Sequence, residues 1–178
     1  MAARDLPPRE YACKRLAYDP ETGQYIWLPQ TPDRFRRGER DCKVWNKRFA
    51  GKPAGASSHG YVSIMLDGRL YLGHRLAWLI IYGEPVPTEL DHRDGDPSNN
   101  RISNIRAASS SNNRANSRRS KKYTAGVKGI RFKFGKYYAR IMHNKKEIHL
   151  GHFDTLEEAI AARRAAAELY HGEFARHD

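Results

Sequence analysis

Cysteine is nearly absent. The 178 residues include two, Cys13 and Cys42, and neither sits in a CxxC pair. That excludes a disulfide-dense scaffold and a cysteine-ligated zinc module, and it points to reduced thiols in a cytosolic setting. Long apolar runs are missing too: the longest, around Leu76 to Tyr82, is far too short to span a bilayer. No signal-peptide pattern opens the chain. The expectation is a soluble intracellular protein without a membrane partner. Acid is scarce, with 20 Asp plus Glu against 32 Lys plus Arg and a net charge of +12. Between Arg114 and Arg140 there are ten Lys or Arg and no acid. Such a block favours a polyanionic partner, most commonly nucleic acid. Apolar residues reach 39%, enough for small cores and so for small modules.

Along the chain, residues 1–15 are polar with Pro7-Pro8 and read as a loose leader. Residues 16–28 place turn chemistry, Asp19 to Gly23, between two strand-like runs, a β-hairpin. Residues 29–50 are basic and read as irregular, and 51–60 as loop. Asp67-Gly68 between residues 61–66 and 70–72 predicts a second hairpin. His74 to Tyr82 predicts a short buried helix with Leu76, Ala77, Leu79 and Ile80 inside, Gly83 at its end and Pro85 beyond. His74 and Trp78 read as scaffold packing, with a functional role as the alternative.

The densest chemistry lies in Leu90 to Asn116. Asp91 and His92 are adjacent, Asp94-Gly95-Asp96-Pro97 makes a turn, Asn104 to Arg106 reads as a returning strand, and Ser109 to Ser111 can cap a helix carrying Asn112, Asn113 and Asn116. A carboxylate with an amide oxygen suits a hard cation, and a neutral imidazole suits water activation. Asp94, Asp96, Asn99 and Asn100 read as turn residues. A calcium loop is excluded, because the closing Glu is absent.

These pieces carry a resemblance. YDPETGQYIW, HRLAW, DHRDGD, NNRISNIR and NNRAN, in this order and spacing, make residues 16–116 similar to the HNH endonucleases of phage and intron origin. The resemblance implies a ββα-metal fold. It implies His92 as the general base, Asp91 and Asn113 as ligands of one divalent metal (magnesium, with manganese as the alternative), and Asn104 as the brace that orients His92. Asn112 is the neighbouring alternative to Asn113. The last motif position holds Asn rather than His, a variant found among homing enzymes.

Further on, residues 127–134, 136–143 and 147–153 read as three strands, and Thr155 with Glu158 forms a capping box ahead of an Ala-rich helix ended by Gly172. The alternation sets Ile130, Phe132 and Phe134 against Arg131 and Lys133. GIRFKFGKYYARI and HLGHFDTLEEAIAARRAAAELYHGEFA resemble the ethylene-response-factor (Apetala-type) DNA-binding domain of plants. That domain lays its sheet in the major groove and also occurs appended to phage HNH nucleases. By position, Lys128, Arg131, Lys133, Lys136, Arg140 and His149 match its DNA-facing slots. His149 stands where plant domains have Trp, Arg140 where Glu is usual, and one residue is missing in the first turn, so base preference does not transfer.

The fold class expected is α+β: a ββα-metal HNH nuclease with N-terminal β-hairpins, plus a three-stranded antiparallel sheet packed on one helix. The expected domains are 1–113 (nuclease), 114–126 (basic linker with Arg114, Arg118, Arg119, Lys121 and Lys122 on DNA) and 127–178 (sheet-type DNA-binding domain). The expected function is a site-specific or site-biased DNA endonuclease of the homing kind. It would act on duplex DNA as a monomer or DNA-bound dimer, with no protein partner implied, in a bacterial or phage-infected cytoplasm. The alternative is a non-catalytic DNA-binding regulator with a decayed site; RNA binding is a third reading.

Overall fold

The computed structural model describes residues 6–116 and 127–175. They divide into two compact units, residues 1–107 and 108–178. Among the described residues, no helix is long and apolar enough to cross a membrane. Both cysteines are free.

The first unit mixes short hairpins with three helices. Strands β1 (Leu16–Tyr18) and β2 (Tyr25–Trp27) pair antiparallel across the Asp19 to Gly23 turn. The Asp19 carboxylate builds that turn by accepting from the Glu21 N–H at 2.9 Å and the Thr22 hydroxyl at 2.7 Å. Gly23 has φ +72°, and a Cβ there would meet the Asn100 and Arg101 backbone at 2.6 and 2.5 Å. Glycine therefore lets this hairpin lie directly on the loop that carries Asn100. Strands β3 (Ala56–Ser58), β4 (Tyr61–Leu66) and β5 (Arg69–Leu72) form a meander whose Asp67-Gly68 turn has positive φ at both residues. That is the geometry the expected hairpin requires.

Helix α3 (Gly73–Tyr82) follows at once and buries Leu76, Ala77 and Leu79 completely. These pack with Leu16, Tyr25, Ile64, Leu66, Tyr71 and Ile105 in one core. Ile80 is only partly buried. The last pieces of the unit are strands β6 (Leu90–His92) and β7 (Ile105–Ala107), an antiparallel ribbon.

Three expectations for this unit are corrected. The leader is not loose throughout: Arg9–Cys13 forms helix α1, Ala12 is fully buried, and the Arg9 guanidinium donates to Ile80 O at 2.9 and 2.7 Å. A cation thus satisfies a carbonyl that the end of α3 leaves open. Residues 29–50 are not irregular throughout: Glu39–Phe49 is helix α2. Its apolar residues Cys42, Trp45 and Phe49 recur at helical spacing, and Trp45 packs against Trp27, Phe35 and Phe49. Within the expected loop at 51–60, β3 pairs with β4.

The second unit begins with helix α4 (Ser110–Asn116). Strands β8 (Ile130–Lys133), β9 (Lys136–His143) and β10 (Lys146–Phe153) form an antiparallel sheet with β9 central. Helix α5 (Leu156–His171) lies on it, opened by the full capping box of Thr155 and Glu158. Ala159, Ala166 and Ala167 pack against Ile130, Ala139 and Ile141, small side chains that let the helix approach closely. Strand β8 is shorter than expected. Gly129, at φ +80°, precedes it, and Phe134 sits in the β8–β9 turn at φ +51°, 81% exposed rather than on the inner face. A tight turn overrides the period of two there.

Candidate functional site

The β6–β7 ribbon sets Asp91 opposite Arg106 and His92 opposite Ile105. Arg106 grips the carboxylate with two donors, Nε at 2.9 Å and Nη2 at 2.8 Å from Asp91 Oδ2. Both side chains are at most 10% exposed. Burying an ion pair is expensive, and one that persists needs well-aligned geometry of this kind.

Strand β6 ends at His92, where the Gly95 N–H donates to His92 O at 2.9 Å and turns the chain. The loop beyond is tied by Asn104. Its Nδ2 donates to Asp94 Oδ1 at 3.0 Å and to Asn99 O at 2.9 Å, and its Oδ1 accepts from the Asp94 N–H at 3.1 Å. Its carbonyl accepts from the Arg93 N–H at 2.9 Å. Asn104 thus holds both ends of the loop that follows His92. Asp94 also accepts from Asp96 N–H and Asn99 Nδ2, and Asp96 from Ser98. These contacts are those of turn residues.

His92 is buried, and its neighbours are aromatic. The His74 ring stands edge-on at 5.0 Å between centroids and 82° between planes, and Tyr61 lies 6.3 Å away. Asn100, 1% exposed, packs so tightly on the start of α3 that a Cβ on Gly73 would come within 2.7 Å of its Nδ2. Tyr18 donates to Asn100 O at 2.7 Å and Tyr25 to Gly73 O at 2.8 Å, which pins this corner to the β1–β2 hairpin. Burial pushes the His92 imidazole below its ordinary pKa, while the Asn100 side chain and the Asp94, Asp91 and Asp96 carboxylates oppose that. Burial also pushes His74 down, to about 3, with His92 and Arg75 adding to it. Both rings are therefore neutral at neutral pH, and a neutral imidazole can accept a proton. Desolvation raises the Asp94 carboxyl, but its bonds from Asp96, Asn99 and Asn104 outweigh that and hold it below its ordinary value.

Residues 71–115 match the family model of the HNH endonucleases. The matched HNH segment runs from β5 through α3, the ribbon and the Asn104 loop into α4. It supports a DNA nuclease, a hydrolase of phosphodiester bonds. HNH nucleases generally use a divalent metal. No curated protein and no solved structure matches the chain.

Asp91, His92 and Asn104 thus meet in one ribbon and loop. Asn112 and Asn113 lie on α4, in the second unit, where the Asn112 N–H donates to Ser109 Oγ at 3.2 Å and the Asn113 N–H to Ser109 O at 2.9 Å. Three residues around the Asp91–His92 pair received no role in the site from sequence: Arg106 and Tyr61, read as strand residues, and Asn100, read as a turn residue. Nothing in their spacing marks them, since each acts through a partner distant in sequence. His74 stood open between packing and function, and it touches His92.

The cations expected on DNA separate into groups. On the β8–β9–β10 sheet, Ile130 pairs with Ala139 and Ile141 with Ile148, residues that pack toward α5. Arg131, Lys133, Lys136, Arg140 and His149 alternate with these, on the face turned away from α5. Arg140 pairs with Glu147, and Lys136 with Asp154 at 2.9 Å. Lys128 precedes β8, and its Nζ donates to Arg114 O at 2.9 Å and Ala115 O at 2.8 Å, bracing the end of α4. Arg114 is exposed on α4. Arg114, Lys128, Arg140 and Arg163 line a cleft of about 630 Å³ within the second unit. Arg118, Arg119, Lys121 and Lys122, and most of the expected linker, lie outside the described residues.

Proposed function

We propose that the chain is a metal-dependent endonuclease of duplex DNA, of the homing kind, built on a ββα-metal HNH centre. The observation that carries this reading is the buried, neutral His92 beside Asp91 at the end of β6, inside the segment that matches the HNH endonucleases. By the resemblance, Asp91 and Asn113 are the residues that would hold the metal, and a carboxylate and an amide oxygen are donor types that suit a hard divalent ion. Bound there, magnesium or manganese would supply charge on the scissile phosphate and relief for the leaving oxygen. His92 takes the proton of the attacking water on an imidazole nitrogen. Asn104 holds the loop so that the ring keeps its aim, His74 and Tyr61 wall it, and Arg106 fixes the Asp91 carboxylate.

The second unit serves as the grip. Its sheet, similar to the ethylene-response-factor domain, brings Arg131, Lys133, Lys136, Arg140 and His149 to duplex DNA, and Arg114, Lys128 and the basic stretch with Arg118, Arg119, Lys121 and Lys122 neutralise phosphates. With one site per chain, a monomer nicks one strand, and cutting both takes a dimer or two successive events.

One observation favours a second reading. Arg106 already neutralises Asp91, as in a DNA-binding regulator whose centre no longer takes a metal. Supercoiled plasmid, or a library of random sites where no target is present, separates the two. The nuclease converts it to open circles with magnesium and not with chelator, and His92→Ala binds the same DNA without cutting it. Cutting by His92→Ala removes His92 as the base. Binding without cutting by the unaltered protein on every substrate favours the regulator.

A further inference from the structure

The face of β9 and β10 turned away from α5 carries two histidines whose arrangement neither the core nor the proposed nuclease centre uses. In a regular strand, residues three apart point to opposite faces. His149 and His152 share one. The pairing register steps from His149↔Arg140 to Gly151↔Ala139, a bulge that inserts one residue and restores the side. Gly151 makes the bulge possible. Its φ is +133°, and a Cβ there would lie 3.2 Å from the Phe153 ring. The outcome is two imidazole nitrogens, His149 Nε2 and His152 Nε2, 2.9 Å apart.

We propose that His149 and His152 form an open two-imidazole site for a borderline transition metal ion, Zn²⁺ being the representative. The spacing fits. With Zn–N bonds of about 2.0–2.1 Å, two ligands at a right angle lie about 2.9 Å apart and at a tetrahedral angle about 3.4 Å. The surroundings fit as well. His149 Nδ1 lies 3.2 Å from Ala139 O, so its proton has a carbonyl to go to and the Nε2 lone pair is left for a metal. Tyr138, opposite His152 in the ladder, contacts the His152 ring at 4.3 Å and lies parallel to His149 within 9°, which limits how far either imidazole can swing. Imidazole nitrogen selects zinc, copper or nickel over magnesium, so this ion differs from the hard cation of the nuclease centre. Among the described residues no group of three or more His, Cys, Asp or Glu could hold a metal. The remaining coordination positions therefore belong to solvent or to an incoming ligand. A bound ion adds positive charge to a face that already carries Arg131, Lys133 and Arg140, and it clamps the bulge.

The competing account is a hydrogen bond between the rings, in which His149 Nδ1 accepts from the Gly151 N–H, 3.3 Å away, and Nε2–H donates to His152. Calorimetric titration of the full chain with zinc chloride, in excess magnesium, decides between them. Parallel titrations use His149→Gln, His152→Gln and, as the control for the nuclease centre, Asn113→Ala, which removes a ligand proposed there. The unaltered chain and Asn113→Ala are expected to take up a zinc equivalent that excess magnesium does not displace, and zinc is expected to raise the thermal midpoint of both. Each glutamine variant is expected to lose that equivalent and the shift while keeping the unaltered midpoint without metal. Zinc uptake undiminished in both glutamine variants, or no uptake by the unaltered chain, overturns the proposal.

Discussion

The two units use polar residues in opposite ways. In the first, the candidate site is inside: Asp91, His92, Asn104 and Arg106 are all buried, and an ion pair joins Asp91 to Arg106 while hydrogen bonds of the Asn104 amide tie the loop. In the second, the polar residues expected on DNA stand on the outer face of a sheet, while the buried side is mostly Ala and Ile, with Arg163 and His171 buried beside them. A reacting group needs a fixed position and a low dielectric, both of which burial supplies. A cation that meets phosphate needs only reach and charge, and solvent exposure leaves both intact. Substitutions in the first unit should therefore cost stability, and substitutions on the sheet face should alter salt dependence.

The sharpest test is Arg106→Ala. It removes one end of a buried ion pair and should destabilise the first unit by about 3–5 kcal/mol, read in a denaturant titration. A loss below about 1 kcal/mol would put the ion pair on the same footing as a surface pair and erase the contrast.

Acid should strain the first unit next. His74 has a folded value near 3 against an ordinary value of 6.5. Between those values the unfolded chain binds a proton that the folded chain refuses. Stability is thus unaffected above about pH 6.5 and falls as pH drops below it, by up to about 1.4 kcal/mol per unit for this one group. Going from pH 7 to pH 5 should remove roughly 2 kcal/mol, and His74→Phe should flatten that slope. Equal slopes in both proteins would mean that His74 is not held neutral.

In the second unit the largest effect expected is local and backbone-directed. Thr155→Ala removes the capping box of α5 and should cost about 1 kcal/mol, read as a lower thermal midpoint. The smallest effect on folding is expected from Arg131→Ala and Lys133→Ala, within about 0.5 kcal/mol. Their effect belongs to DNA binding instead: removing one cation that neutralises a phosphate should reduce the salt slope by about 1. An unchanged slope would show that this face is not the grip.

How much of this was legible in the sequence depended on the range of the interactions. Asp67-Gly68 announces its hairpin because both residues tolerate positive φ, and Thr155 with Glu158 announces a helix start because both bonds close within one turn. Asp91 and His92 set a carboxylate beside an imidazole, but Asn104 took its role from the resemblance to the HNH endonucleases, because an Asn that ties a loop has no mark of its own in sequence. Helix α2 was hidden by its basic composition, although Cys42, Trp45 and Phe49 repeat at helical spacing. Helix α1, five residues long, is held by packing on α3 rather than by its own propensity.

The sequence by itself determined the cationic surplus, the hairpin turns, the capped helix and the compact cluster around Asp91, all of which rest on contacts between near neighbours. Only the tertiary structure decided that Arg106 grips Asp91, that His74 and Tyr61 wall His92, that Asn100 is locked between Gly23 and Gly73, and that a bulge brings His149 to His152. Each of these depends on where the chain turns back on itself, and packing sets that.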